Sequence, residues 1–155
     1  IDEGQVYSVK KDIDPELAFA AFVPDFRLLT SKARAALPAM VSHKDAVYNL
    51  SRAALATAAF CEGNYALLGV ATKDVLHQKD RLPLIEGGDD VFELAQDLGA
   101  QAVYISGAGP TIMAVVHKDD TEFFTRAEAA LASDSPLHHF TVHRLLADNV
   151  GAVVS

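Results

Sequence analysis

Apolar residues near the start of the chain lie at strand-like spacing. An uninterrupted apolar run at 17–23, ended by Pro24, predicts a β-strand, and the shorter, partly alternating segment 5–10 predicts another strand before it. The run 17–23 is the longest wholly apolar one, far short of the roughly 20 residues that a membrane-spanning helix needs. We therefore expect these segments to contribute to a sheet, with no membrane as a partner.

Polar residues and glycines bound two predicted helices that follow. Thr30 is interpreted as the N-cap of a short helix that Pro38 ends. Ser42, with Asp45 three residues later, is typical of a capping box. The helix after this box has apolar residues at helical spacing until Gly63, a residue type that commonly closes helices.

After Gly63, the pattern first predicts two more helices and then alternating strands and helices. Its predicted elements are a helix from about Tyr65 to Lys79, a helix over 90–99, strands at 101–106 and 111–117 joined by a turn at 107–110, a helix capped by Asp119 or Asp120, and a strand at 138–145. This order predicts an α+β fold, a ferredoxin-like sandwich with a mostly antiparallel sheet and helices packed on one side. The length of 155 residues fits one domain spanning 1–155.

Composition narrows the partners of this domain. The net charge of −8 repels phosphate backbones and argues against nucleic acid as a partner. The single cysteine excludes an internal disulfide and suits a reducing compartment, so we expect a cytoplasmic location. The chain begins with Ile1 rather than a methionine, and we therefore expect it to be part of a longer protein. Its oligomeric state is not fixed by the sequence, which is compatible with a homodimer.

The turn between the two central strands is the sharpest local feature. Its sequence is Ser106-Gly107-Ala108-Gly109-Pro110-Thr111. Two glycines one residue apart permit backbone torsions that a side chain would forbid, and successive N–H groups in such a turn can bind an anion. The alternative is a tight hairpin turn without a ligand. The turn matches neither a Walker loop nor a dinucleotide fingerprint.

Two polar groups are further candidates. Thr30 and Arg34 are one helical turn apart, so a guanidinium there could grip a carboxylate with two parallel hydrogen bonds. Asp74, His77 and Arg81 would share a helix face if the predicted helix extended that far. Solvated surface side chains are the competing interpretation of both groups. We predict no metal site, because the possible pair His139 and His143 has no Cys or Glu at ligand spacing nearby.

Taken together, these motifs resemble the C-terminal domain of the homoserine kinase family within the GHMP kinases, over almost the whole chain. The matching segments are Val23-Pro24-Asp25-Phe26, Leu29-Thr30, Ala33-Arg34, Leu37-Pro38, His43-Lys44-Asp45-Ala46-Val47-Tyr48-Asn49, Asp74, Leu76-His77-Gln78, Arg81 and Ile105-Ser106-Gly107-Ala108-Gly109-Pro110-Thr111. The last segment resembles the third conserved motif of the GHMP kinases.

The resemblance implies transfer of the ATP γ-phosphoryl group, with Mg²⁺, to the side-chain hydroxyl of L-homoserine, a step of threonine biosynthesis. By resemblance, Arg34 and Arg81 hold the homoserine carboxylate, Thr30 lines the same pocket, and the turn at 106–111 faces the phosphate site. No residue of the chain is identified as a catalytic general base.

The resemblance also implies what these residues lack. The glycine- and serine-rich phosphate loop of the GHMP kinases is not among the residues of this chain and belongs to an N-terminal ATP-binding domain. We expect that domain to be the partner of this one, and the chain alone to bind neither ATP nor Mg²⁺ and to be inactive as a kinase. Two alternatives stay open: a GHMP kinase for another small alcohol, such as mevalonate or a sugar, and a ferredoxin-like regulatory module without catalysis.

Overall fold

A four-stranded antiparallel sheet organises residues 3–132 and 134–151, which the computed structural model describes. Its strands are β1 (Leu17–Pro24), β2 (Ala102–Ile105), β3 (Ile112–His117) and β4 (Phe140–Leu145), in the spatial order β2-β3-β1-β4. All three neighbouring pairs are antiparallel. Because helices connect β1 to β2 and β3 to β4, this is the split arrangement of ferredoxin-like folds. The predicted α+β class is confirmed.

The helices of the described residues vary widely in length. They are α1 (Thr30–Ala35), α2 (His43–Glu62), α3 (Leu68–Ala71), α4 (Gln78–Arg81), α5 (Gly88–Asp97) and α6 (Thr121–Ala130), with 3₁₀ turns at Tyr65–Leu67 and Leu82–Leu84. Since isolated helices of a single turn are not stable in water, α3 and α4 depend on tertiary contacts for their conformation. This dependence matters below, because α4 carries Arg81.

Strand β1 forms the centre of the sheet and is apolar on both faces. Ala18, Ala20 and Phe22 point into the main core together with buried residues of α5 and α6, such as Val91 and Phe123. A strand buried on both faces has a nearly continuous apolar sequence, which explains the run that predicted it. Its partners in the sheet are β3 and β4.

The opposite face of the sheet is covered in part by the end of α2 and the residues after it. Leu17, Ala102 and Val115 of the sheet form a second buried cluster with Ala59 of α2 and Leu68 of α3. The sequence predicted helices on one side of the sheet, and the structure adds a partial second layer on the other side. This second layer brings α2 close to the segment that leads into α4.

Three predicted caps are confirmed, and one is wrong. The Ser42 hydroxyl accepts a hydrogen bond of 3.0 Å from the N–H of Asp45, and Gly63 ends α2 in the left-handed conformation. Asp120, one of the two candidates, caps α6 by accepting from the N–H of Phe123. Thr30 is not an N-cap: it is the first helical residue of α1, and no side chain caps that helix.

Two predicted elements are also wrong. Segment 5–10 is not a strand, and its apolar side chains, such as Val6 and Val9, are exposed rather than packed against the sheet. The continuous helix predicted over 65–79 is broken between α3 and α4. The break exists because the Asp74 carboxylate accepts hydrogen bonds from the backbone N–H groups that a continuous helix would use internally.

Candidate functional site

The glycine turn joins β2 to β3 and is closed by its own backbone. The N–H of Ser106 donates to the carbonyl of Thr111 at 2.8 Å, and the N–H of Gly109 donates to the carbonyl of Ser106 at 2.9 Å. Gly107 and Gly109 both have positive φ, at +58° and +82°. The peptide between Gly109 and Pro110 is cis. A tight turn with left-handed residues is what the Gly-x-Gly pattern predicts.

The two glycines of this turn are required for different reasons. A Cβ atom on Gly109 would lie 3.2 Å from Cδ1 of Ile85 and 3.3 Å from Cγ2 of Ile105. A Cβ atom on Gly107 would meet no atom within 4 Å. Gly109 is therefore required by both packing and backbone conformation, whereas Gly107 is required by backbone conformation alone.

The exposed side of the turn presents backbone donors. Within the described residues, the N–H groups of Gly107 and Ala108 have no protein acceptor. Gly107 is exposed and Ala108 is partly exposed. Successive N–H groups of this kind form a small concavity that suits an anionic oxygen.

Arg81 joins the glycine turn to helix α1. Its Nη1 donates to the carbonyl of Gly107 at 2.8 Å, and its Nε lies 3.4 Å from the carbonyl of Ala33, a longer and weaker contact. Ala33 is fully buried and directly precedes Arg34. The structure thus brings Arg81, the turn and α1 together, although the three are separated by dozens of residues in sequence.

The other two predicted substrate-binding residues lie on α1. Thr30 lines an open depression of about 490 Å³ together with Pro110 and Thr111 of the glycine turn. Arg34 is exposed and makes no side-chain hydrogen bond or ion pair with another described residue. Its guanidinium is free to meet a ligand, and its role in binding a carboxylate stays a prediction.

Asp74 lies between α3 and α4 and is almost completely buried, with 9% of its side chain exposed. Its Oδ1 accepts hydrogen bonds from the N–H groups of Leu76, His77 and Gln78, at 3.0, 2.7 and 2.8 Å. Its Oδ2 accepts from the side-chain amide of Asn49 on α2 and lies 3.2 Å from Nε2 of His77. The carboxylate therefore caps the start of α4 and ties it to α2.

The pKa of Asp74 is lower than that of an ordinary aspartate. Burial is the largest single effect and would raise this pKa, but the surrounding hydrogen bonds and charge together outweigh it, foremost the hydrogen bonds from the N–H groups of Gln78 and His77. The side-chain amide of Asn49 and positive charge on His77 lower it further. The folded protein thus favours the ionised carboxylate.

We expect this carboxylate to make folding stability depend on pH in the acid range. A carboxyl group with a lowered pKa in the folded state stabilises that state above its unfolded pKa, about 3.9, and this contribution is lost as the pH falls through the folded value. Urea unfolding of the chain between pH 7 and pH 2.5 should show a steeper loss in the wild type than in Asp74→Asn. Asp97→Asn, which changes an exposed carboxylate at the end of α5, should keep the wild-type slope. Equal slopes for wild type and Asp74→Asn would contradict the expectation.

The sequence did not identify a role for Gln78 beyond its place in the resemblance. Its Oε1 accepts a hydrogen bond from the N–H of Ile105 at 2.8 Å, and its Nε2 donates to the carbonyl of Thr72 at 3.1 Å. Ile105 is the last residue of β2, directly before the glycine turn. Because the two partners are 27 residues apart, no local pattern could have revealed this link.

Metal-ligand side chains occur away from this site. Among the described residues, Glu16, His117 and Asp119 could together offer three ligand atoms, all on exposed side chains. They lie at the opposite end of β3 from the glycine turn, roughly 17 Å away at about 3.3 Å per strand residue. Mg²⁺ in kinase sites is bound by carboxylates together with substrate phosphates. No group of three or more such ligands occurs at the turn within the described residues, although Asp25 lines the depression beside it.

None of the helices in 3–132 and 134–151 combines the length and the apolar character that a membrane span requires.

Comparison with known proteins defines the class of this domain. The family described as GHMP kinases C terminal matches residues 56–131, which include α3, α4, the glycine turn and all of α6. This stretch therefore matches the C-terminal domain family of the GHMP kinases.

Similarity to individual proteins extends across the whole chain. Homoserine kinase of Clostridium beijerinckii is 42% identical over 153 residues, which cover 99% of this chain and 51% of that protein. Homoserine kinase of Caldicellulosiruptor saccharolyticus is 40% identical over 154 residues, covering 99% of this chain and 50% of that protein. The crystal structure of homoserine kinase from Cytophaga hutchinsonii superposes with a TM-score of 0.77 at 25% identity, covering 90% of this chain and 44% of that one. The chain spans about half the length of the curated relatives it matches.

Proposed function

We propose that this chain is the substrate-side domain of an ATP-dependent homoserine kinase in threonine biosynthesis. The observation that carries the proposal is the 42% identity to a homoserine kinase over 99% of the chain. In the proposed reaction, the side-chain hydroxyl oxygen of L-homoserine bonds to the γ-phosphorus of ATP, and the bond from that phosphorus to the ADP oxygen breaks. The hydroxyl proton is released to solvent, and we assign no general base to the described residues.

Arg34 and Arg81 would bind the carboxylate of homoserine. A guanidinium has five N–H donors, and Arg81 uses only two of its nitrogens for the carbonyls of Gly107 and Ala33, so donors remain for a ligand. Arg34 has no partner among the described residues and lies next to Ala33, on the helix that Arg81 contacts. Thr30 would contribute from the adjoining depression beside Pro110, whose lining includes neither arginine. Two cations that meet a carboxylate would fix the direction of the hydroxyl.

The glycine turn would face the phosphate groups. Phosphoryl transfer depends mainly on positioning and on stabilising the charge of the transferred group. The unbonded N–H groups of Gly107 and Ala108 are suited to that task. We assign the ligands of Mg²⁺, with the ATP pocket, to an N-terminal domain of a longer protein. We place that protein in the cytoplasm, and a homodimer is compatible with this assignment.

Reconstitution of activity tests this proposal. The purified chain alone should not form phosphohomoserine from ATP, because it contributes only one side of the site. Addition of the upstream half of the same protein, produced separately, should restore ATP turnover that depends on homoserine. Mevalonate, a hydroxy acid without an amino group, and galactose, an alcohol without a carboxylate, serve as controls. Turnover with mevalonate or galactose but not homoserine would identify a different GHMP kinase. Inactivity of the intact protein with all three substrates would favour a regulatory module.

A further inference from the structure

Hydrogen bonds tie the short helix α4 to the end of β2, to the residues after α3 and, through Asp74, to α2. Gln78 is the first residue of α4, and its Oε1 accepts a hydrogen bond of 2.8 Å from the N–H of Ile105. This bond links α4 to the end of β2. The same side chain donates to the carbonyl of Thr72 at 3.1 Å, after α3. One amide side chain therefore fixes α4 relative to the strand that leads into the glycine turn.

Asp74 anchors the same helix from the opposite direction. Its carboxylate caps the start of α4 through the N–H groups of His77 and Gln78. The side-chain Nδ2 of Asn49 on α2 donates a hydrogen bond to this carboxylate. Its Oδ1 accepts a hydrogen bond of 2.9 Å from the N–H of Val75. The segment before α4 is thus attached to α2, a long helix with capped ends.

Arg81 lies one helical turn after Gln78, at the end of α4. A helix of four residues cannot fix its own orientation, because it has too few internal hydrogen bonds. The direction in which Arg81 leaves α4 is consequently set by the anchors at its start. A displacement of about 1 Å would be enough to lengthen the 2.8 Å bond from Arg81 to Gly107 beyond a good hydrogen bond.

We propose that Gln78 and Asp74 are positioning residues that act through Arg81. Gln78 sets the distance between α4 and the glycine turn, and Asp74 sets the orientation of α4. The expected effect on kinetics rests on the proposed function. The expected effect on the position of Arg81 does not depend on that function. Neither residue touches the substrate in this account, and both determine where the guanidinium meets the carboxylate.

The kinetic test uses Gln78→Met in the full-length protein, with Gln96→Met as the matched control on an exposed position of α5. Methionine keeps the length of the side chain but removes both hydrogen bonds. We expect the KM for homoserine to rise about 10-fold or more, with the KM for ATP changed by less than about 2-fold. In an Arg81→Ala background, Gln78→Met should have no further effect on the KM for homoserine, because the residue through which it acts is missing. An unchanged KM, or an equal rise in both backgrounds, would overturn the proposal.

A second measurement does not depend on the reaction. In ¹⁵N NMR spectra of the chain, the Arg81 Nε–H resonance should shift in Gln78→Met and Asp74→Asn, and stay unchanged in Gln96→Met and Asp97→Asn. If Gln78→Met does not fold, Asp74→Asn decides the question by the same resonance. If the full-length wild type does not phosphorylate homoserine, the proposed function fails, while the NMR shift still tests the positioning. An Arg81 resonance unaffected by Asp74→Asn and by any folded Gln78→Met would sink the inference.

Discussion

Replacement of Arg81 by alanine in the full-length protein should lower kcat/KM for homoserine by about 100-fold or more, equivalent to about 3 kcal/mol. Two effects combine in this loss. The substrate carboxylate loses one of two proposed cations, and the glycine turn loses the guanidinium that holds its Gly107 carbonyl. Steady-state kinetics at saturating ATP, with homoserine varied, would measure the change.

Two variants distinguish the roles of charge and geometry in this prediction. Arg81→Lys keeps the positive charge, but a single ammonium cannot reach the carbonyls of Gly107 and Ala33 and a carboxylate in the same planar arrangement. We expect it to recover only a small part of the lost kcat/KM. Arg126→Ala removes an exposed arginine from α6 and should leave kcat/KM unchanged. Wild-type kcat/KM for homoserine in Arg81→Ala would exclude Arg81 from the site.

The fold could be predicted from the sequence where local signals and burial agree. Strand β1 has an apolar run because both of its faces are buried, and α2 has a polar cap at Ser42 and a glycine at its end. The β2–β3 hairpin has its turn glycines in left-handed conformations. In each of these elements, the residues that shape the backbone are close to it in sequence.

The segment from Tyr65 to Arg81 could not be predicted in the same way. Its alanines and leucines favour a helix, but Asp74 competes for the backbone N–H groups and is itself held by Asn49, 25 residues away. Gln78 then joins the segment to Ile105. These long-range hydrogen bonds override the helical preference, and a single sequence does not reveal them.

In the candidate site, too, some features have a local sequence signal and others depend on long-range contacts. The turn at 106–111 was evident as a local motif, whereas its contact with Arg81 spans 26 residues and was expected only through a family resemblance. The contact between Arg81 and Ala33 spans 48 residues. Local patterns therefore identified the parts of the site, and the tertiary fold determines which of them meet.

Gly109→Ala should destabilise the chain by about 3 kcal/mol, against about 1 kcal/mol for Gly107→Ala. Both substitutions place a side chain at positive φ, so both carry a backbone cost. Only the new methyl group at Gly109 would lie within 3.3 Å of Ile85 and Ile105, which are buried and have little room to move. Urea unfolding at neutral pH would measure both free energies of unfolding.

A double substitution separates the packing cost of Gly109→Ala from its backbone cost. Ile85→Val removes the Cδ1 atom that lies closest to the new methyl group, at the expense of about 1 kcal/mol of its own. In this background Gly109→Ala should cost less than in the wild type, because one of its two close contacts has disappeared. Gly107→Ala should cost the same in both backgrounds, since no atom lies near its Cβ. Equal losses for Gly109→Ala with and without Ile85→Val would mean that the glycine is required by backbone conformation alone, as Gly107 is.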